Sequence, residues 1–442
     1  MLPVRRSPHD REIVRLALPA FGALAAEPLY ILVDTAIVGH LGTNPLAGLA
    51  VAGTVLTATF AIFNFLAYST TGAVARQVGA GNRRAAAEQG VDGFWLAAGL
   101  GVALAVLGLA LSPVIVDAMG ASTRVHPFAD TYLRISIVGA PALLITLAGA
   151  GYLRGLQDTR TTLVIAVASN AFNVIVEIVF VYGLDLGIAG SAWGTVLAQY
   201  GAALAYIAVT ARNVRLEHAS VRPQAAGIRA TASVGGRVVV RTGSLLAAFL
   251  AATAIASRIG DDDVAAHQIA FQVFLFLGLS LDAIAIAGQA MIGRFLGAED
   301  AGEARAAARR MIEWGVAVGV MFGVLLAILR PVIVPLFTPD PDVQSLALQV
   351  LLIVAAMQPL NAVVFVLDGI LIGAGDVTYL AVAMLVATLG VFVPAAAAVL
   401  VFDGSLLWLW GALTLWMGAR FVGMAVRFVG SGWQVTGAVR AA

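Results

Sequence analysis

Two acids, Glu27 and Asp34, stand seven residues apart in one long apolar run near the start of the chain. Seven residues of α-helix bring them back to nearly the same face. A second polar stripe, Asn170, Asn173 and Glu177, has the spacing i, i+3, i+7 in another apolar run. An acid at the centre of a membrane-spanning helix costs about 2.5 to 3.5 kcal/mol on insertion scales, so it normally faces a cavity or a partner. Such a group can take up and release a proton, or hold a cation. If the two stripes meet, Asp34 and Glu177 form a carboxylate pair among amides. The same groups would also serve simply as hydrogen bonds between helices, a reading that applies most to Asn170 and Glu27.

The second half of the chain has its own candidates. Asp282 and Asp368 lie inside apolar runs and are candidates for lining a cavity, although Asp368 is close enough to the Gly373, Gly375, Asp376 turn to serve a helix end. His267, beside Gln268, is either a packed core histidine or a proton relay. Pro19 and Pro28 interrupt the run that carries Asp34, and a proline within a helix frees a carbonyl and permits bending. Pro19 is the candidate moving part. Other patterns carry no chemistry. Gly79-Ala80-Gly81-Asn82-Arg83-Arg84 lacks the strand before it and the Gly-Lys-Ser/Thr of a phosphate loop. Asp261-Asp262-Asp263 reads as a solvated helix N-terminus, and the five histidines show no metal spacing. No nucleophile elbow is present. The chain therefore reads as no enzyme, with no cofactor and no metal site.

The elements that must position these residues are membrane helices. Of the 442 residues, 60% are hydrophobic and 12% charged, too little charge to cover a soluble protein of this size. Apolar windows long enough to span a bilayer fall near 13–39, 46–75, 91–116, 127–153, 161–183 and 189–211. Six more fall near 237–259, 264–293, 311–336, 343–373, 377–402 and 405–427. An all-α polytopic membrane protein of twelve helices follows. The first window is too long for a signal-peptide core and is expected to be retained.

The chain has no lysine, so its orientation rests on arginine. Arg5, Arg6, Arg11, Arg15, Arg76, Arg83, Arg84, Arg154, Arg160, six arginines from Arg212 to Arg241, Arg294, Arg305, Arg309, Arg310, Arg427 and Arg440 fall on one side. Only Arg124, Arg134, Arg258 and Arg330 fall on the other. The positive-inside rule places both termini in the cytoplasm. With no cysteine, disulfides and thiolate chemistry are excluded, and a net charge of +1 gives no sign of a nucleic-acid partner.

The chain also repeats itself without gaps at an offset of 218 residues. Thr35-Ala36-Ile37 returns as Thr253-Ala254-Ile255, Arg76 as Arg294, Pro113-Val114-Ile115-Val116 as Pro331-Val332-Ile333-Val334, Pro141 as Pro359, and Gly155 with Asp158 as Gly373 with Asp376. Two six-helix lobes are expected: residues 1–212, then a cytoplasmic linker at 213–236 broken by Pro223 and Gly227, then residues 237–442. Six helices per repeat imply a pseudo-two-fold axis along the membrane normal. The linker arginines suit anionic lipid. Asp34 falls opposite Ala252, Glu177 opposite Ala395 and Asn173 opposite Val391. The acids of the first copy are thus absent from the second.

Leu18-Pro19-Ala20, the run from Leu32 through Asp34 to Gly42, Gly79-Ala80-Gly81-Asn82, Leu153-Arg154-Gly155 with Asp158-Thr159, and Ala265-Ala266-His267-Gln268 resemble the multidrug and toxic compound extrusion family, and within it the branch named for the DNA-damage-inducible protein F. The resemblance spans all twelve helices. It implies two six-helix bundles around a central cleft and a secondary antiporter exporting cationic or amphipathic compounds against protons or sodium. By resemblance Asp34 is the family's helix 1 acid, Pro19 its bending proline, and Asn173 and Thr195 members of a polar cluster around a second acid. Here that acid is Glu177, where aspartate is usual. An amide of the archaeal pattern falls at Ala150. A carboxylate pair with few added oxygens suits a proton; sodium needs several.

The expectation is a monomeric, proton-coupled exporter of the inner membrane, with a small-molecule substrate and lipid around it, and sodium as the alternative ion. Two other readings compete. A flippase or exporter of a lipid-linked or metabolite substrate would need cationic residues in its spans, where only Arg134 and Arg420 are expected. An intramembrane transferase would need paired acids or histidines for a metal on its catalytic face, and Asp261 to Asp263 lie on the wrong side for cytosolic donors.

Overall fold

The computed structural model describes residues 7–439; Arg5, Arg6 and Arg440, counted in the charge argument, lie outside the described residues. Among the described residues there is no strand. The helices are α1 (Pro8–Gly39), α2 (Thr43–Phe63), α3 (Phe65–Gly79), α4 (Arg83–Ala118), α5 (His126–Ile137), α6 (Ala140–Gly155), α7 (Thr159–Ile178), α8 (Gly187–Leu216), α9 (Ala225–Ile259), α10 (Asp261–Gly297), α11 (Ala301–Ile333), α12 (Pro341–Gly373), α13 (Val377–Ala387), α14 (Val393–Val401) and α15 (Leu406–Val429). Eleven spans are long and apolar enough to cross a membrane, and a twelfth is α5 with α6. Large apolar side chains such as Val102, Val106, Val320 and Ile328 stand exposed on α4 and α11, as lipid-facing surfaces require.

The window expected as one helix at 127–153 is bent by 50° between α5 and α6. Pro141 has no N–H to give Ile137, and the chain tightens there through Val138 N–H to Ile135 O and Gly139 N–H to Ser136 O, at 3.1 and 3.0 Å. Its repeat mate Pro359 leaves α12 continuous. The Ala355 carbonyl, four residues before Pro359, lies against Gly323, where a Cβ would stand only 2.6 Å away. Likewise α2 and α3 part at Asn64, whereas the matching α10 runs unbroken past Asp282.

The chain forms two compact units. The first is Gly22–Gly235; the second joins the start of α1, up to Phe21, with the chain from Gly236 onward. The start of α1 belongs to the second unit because it is tied there by charge. Arg310 grips Asp10 through two nitrogens at 2.6 and 3.0 Å, Trp314 donates to the same carboxylate at 2.9 Å, and Arg294 pairs with Glu12 at 3.0 Å. The segment expected as a linker at 213–236 is helical at both ends, since α8 continues to Leu216 and α9 starts at Ala225. What lies between is fastened to α4. Asp92 accepts from Gln224 N–H at 2.8 Å, Glu88 from Ser220 N–H at 3.2 Å, and Trp95 donates to the Val221 carbonyl at 3.1 Å.

Within the units, packing recurs at the offset of the sequence repeat. A Cβ on Gly151 of α6 would stand 2.5 Å from the Ala67 carbonyl of α3; one on Gly369 of α12 would stand 2.4 Å from the Ala285 carbonyl of α10. Asn82 caps α4 through Ala85 N–H at 3.1 Å, and Asp300 caps α11 through Glu303 N–H at 2.8 Å. The left-handed turn residues Gly81, Gln157 and Asp185 return as Glu299, Gly375 and Asp403. Duplicated backbone has outlived much of its duplicated chemistry.

Candidate functional site

The two predicted stripes of the first unit meet. Asp34 is buried on α1, in a core wall that includes Val38, Tyr132, Leu133 and Ile188. One of its carboxyl oxygens accepts from the Ser191 hydroxyl of α8 at 2.6 Å, and the other from Tyr132 of α5 at 3.4 Å. Glu177, at 0% exposure, comes down from α7 against the same place, with the Asp34 carboxyl and Ser191 as its polar neighbours. Neither of its carboxyl oxygens closes a hydrogen bond among the described residues, and neither does Asn173 Oδ1 one turn earlier. The Asn173 amide donates to Thr195 at 3.3 Å, and Thr195 shares a 2.7 Å hydrogen bond with Tyr30.

Local sequence explains how α7 and α8 approach so closely. Gly190 and Gly194 lie one turn apart on α8; a Cβ on Gly194 would stand 3.2 Å from Glu177 Cα, and one on Gly190 2.8 Å from the Phe180 carbonyl carbon. Directly after Glu177, Val179–Gly183 forms a turn of π-helix, a local widening that shifts the register of what precedes it. It ends with Tyr182 donating to the Ile37 carbonyl of α1 at 2.9 Å.

Not every predicted residue joins this network. Asn170 donates instead to the Ala26 carbonyl of α1 at 3.0 Å, the helix-tying role that its spacing also allowed. Glu27 is exposed on α1 and shares none of the network's hydrogen bonds. Pro19 and Pro28 both lie inside α1.

In the second unit, Asp368 is buried and engaged by Arg241 of α9, with Arg241 Nε 3.0 Å from its Oδ1 and a second guanidinium nitrogen on Oδ2. Arg241, assigned from sequence to the linker group, is therefore a buried partner inside a helix. The arginines within spans are not confined to Arg134 and Arg420. Asp282 is half-buried and also partnered. His267 is fully buried, 3.2 Å from Thr253 and flanked by Phe271 and Trp410 at 5.8 and 5.6 Å. Gln268, its neighbour in sequence, points to the exposed side.

The family model MatE matches residues 19–179 and again 244–412, one match in each half. The chain belongs to the MatE family. Among curated proteins it is 32% identical to the chloroplastic Protein DETOXIFICATION 44 of Arabidopsis thaliana, over 85% of this chain and 74% of that one. It is 29% identical to DNA damage-inducible protein F of Escherichia coli, over 86% and 84%. Among solved structures, a MOP superfamily transporter from Pyrococcus furiosus shares the fold with a TM-score of 0.86 at 21% identity, covering 96% of this chain and 97% of that one.

This MatE protein is a multi-pass membrane transporter and not an enzyme. Three residues around its first-lobe acids were not singled out from sequence. Tyr30 lies four residues before Asp34 and Ser191 four before Thr195, so helical periodicity held a signal for both. Tyr132 had none. It reaches Asp34 across 98 residues of chain.

Proposed function

We propose that this transporter exports lipophilic compounds, cations among them, in exchange for protons, and that Asp34 and Glu177 carry the exchanged ion. The observation that supports this most is the imbalance at the pair. Asp34 accepts from two hydroxyls, whereas Glu177, buried against it beside Ser191, closes no hydrogen bond among the described residues. Two carboxyl groups in contact away from water are held together by a proton or cation between them. A cationic substrate and a proton then compete for one site, and competition is all that antiport requires. Exchange of one proton for one monovalent cation moves no net charge, so a pH difference of one unit supports about tenfold accumulation.

Sodium is the second reading, and a specific feature favours it: both Glu177 oxygens, against the Asp34 carboxyl, close no hydrogen bond among the described residues. The Ser191 and Tyr132 hydroxyls on Asp34 would add to the several oxygens that a sodium ion gathers. The substrate class draws support from the names of relatives, such as the probable multidrug resistance protein NorM of Thermotoga maritima, 25% identical over 67% of this chain and 65% of that one. The arginine distribution supports cytoplasmic termini, and we take lipid to surround the helices and a single chain to be the working unit. Dye efflux in inverted vesicles, with proton and sodium gradients imposed separately, tests the reading. Rhodamine 6G should move with a proton gradient alone, and movement only with sodium would replace the proton.

A further inference from the structure

The second lobe holds a buried arginine with no acid against it among the described residues. Arg420 on α15 is 4% exposed. Its guanidinium lies 5.3 Å from the Trp416 ring centre, its Nη1 is 3.1 Å from Met417 Sδ, and its Nε meets no acceptor among the described residues. Two other arginines of this lobe are matched by acids, Arg241 by Asp368 and Arg427 by Asp376. Arg241 also lies close enough to act on Arg420 as a like charge. A buried ion without a counter-charge is costly by several kcal/mol. Within a membrane span such a group usually marks the path of a substrate or ion.

What surrounds Arg420 suggests the ligand. Trp416 and Met417, its two contacts, also line a small apolar pocket with Phe249, Phe271, Phe274 and Trp410, and Arg420 lies just outside that lining. Phe249 sits at its centre, edge-on to Phe271, Phe274 and Trp416 at 5.0, 5.8 and 5.6 Å. The free space is on the order of one water, so a bulky guest enters by displacing side chains. Met357 and Met417 in the wall are suited to that, being unbranched and adaptable. Rings and thioethers accept a lipophilic body, and the guanidinium at their edge accepts a planar or tetrahedral anion.

We propose that this pocket binds soluble amphipathic organic anions, with the lipophilic part among the rings and a carboxylate, sulfonate or phosphate on Arg420. Its service as a substrate site rests on the exporter reading above; the binding itself does not. The transporter's substrates then include anions as well as cations, each drawn to a different lobe.

The test uses full-length purified protein and two dansyl probes, dansylglycine with a carboxylate and dansylamide without one, read by energy transfer from tryptophan. Dansylglycine should bind saturably and at least about tenfold more tightly than dansylamide. Arg420→Gln should reduce that preference to within about twofold, and Arg420→Lys should keep part of it. Should Arg420→Gln not fold, Leu413→Trp, which fills the pocket wall, should weaken both probes alike. The proposal is overturned by equal affinity of the two probes for the wild type, by a preference that survives Arg420→Gln, or by absence of saturable transfer. Displacement of dansylglycine by equimolar phosphatidylglycerol would overturn the soluble ligand in favour of a lipid. Rhodamine 6G efflux is measured alongside. Its absence would count against the exporter reading while leaving the binding result intact.

Discussion

Asp34 and Asp368 are both buried aspartates on long helices, but the first is met by hydroxyls and a second acid and the other by an arginine. An acid locked to a guanidinium has its counter-charge built in. An acid pressed against another acid has none built in, and on the reading proposed above takes it from an exchanged ion. The two lobes share a frame, seen in the matched glycine contacts, caps and left-handed turns, and differ in what that frame holds. They differ in continuity too. The first lobe is broken at Asn64 and bent before Pro141, while α10 and α12 run straight through the equivalent positions. Breaks in a helix ladder are where bending is least costly, so the lobe with the acid pair is also the one with the looser backbone.

The comparison is broken most directly at Asp34. Asp34→Asn keeps volume and hydrogen bonding but cannot titrate, and should abolish gradient-driven dye efflux in inverted vesicles with expression nearly unchanged. Glu177→Gln should slow or abolish it as well. Proton release on substrate addition, in weak buffer, should be lost in Asp34→Asn and kept in Asp368→Asn; the reverse result would move the coupling site to the second lobe. Acid restored at Ala252 should add no released proton, because Val391 stands where Asn173 would be needed.

Asp368→Asn should be felt in stability instead. Removing one partner of a buried pair typically costs about 3 to 5 kcal/mol, and thermal unfolding in detergent should show it. The double variant Arg241→Met with Asp368→Leu should recover much of the loss. If Asp368→Asn alone unfolded like the wild type, the pair would not be the structural counterpart argued here.

The shared frame makes a prediction of equality. Gly151→Ala and Gly369→Ala each push a methyl onto a carbonyl of the neighbouring helix, and overpacking of this kind costs about 1 to 3 kcal/mol. The two losses should be similar, and a large loss in one lobe alone would mean the contacts are not equivalent.

The smallest effect lies in a turn. Glu299 adopts φ 63° where its repeat mate Gly81 adopts φ 73°, and a side chain in that region is strained by roughly 1 to 2 kcal/mol. Glycine would remove that strain but add freedom to the unfolded chain. Glu299→Gly should therefore raise stability by about 0.5 to 1 kcal/mol, a gain visible as a slightly higher melting temperature.

Much of the fold was legible because its causes are local. Long apolar runs give spans, and Asn82, Asp158 and Asp300 give helix starts, all within a few residues of the effect. The stripe Asn173 to Glu177 and the acid Asp34 could be named because helical spacing and the cost of a membrane charge act on each segment alone. Tertiary structure decided the partners. Ser191 reaches Asp34 across 157 residues, Tyr132 across 98, and Arg241 reaches Asp368 across 127. Periodicity says which face a residue occupies but not which helix will cover that face. Arg241 makes the limit plain: by sequence it is the last of a basic group that runs on from the linker, and only the packing of α9 turns it inward, where an acid is waiting. For the same reason the sequence determined that one lobe lost the acids of the other, while the structure alone decided that Asp34 kept an acid for company and Asp368 acquired a base.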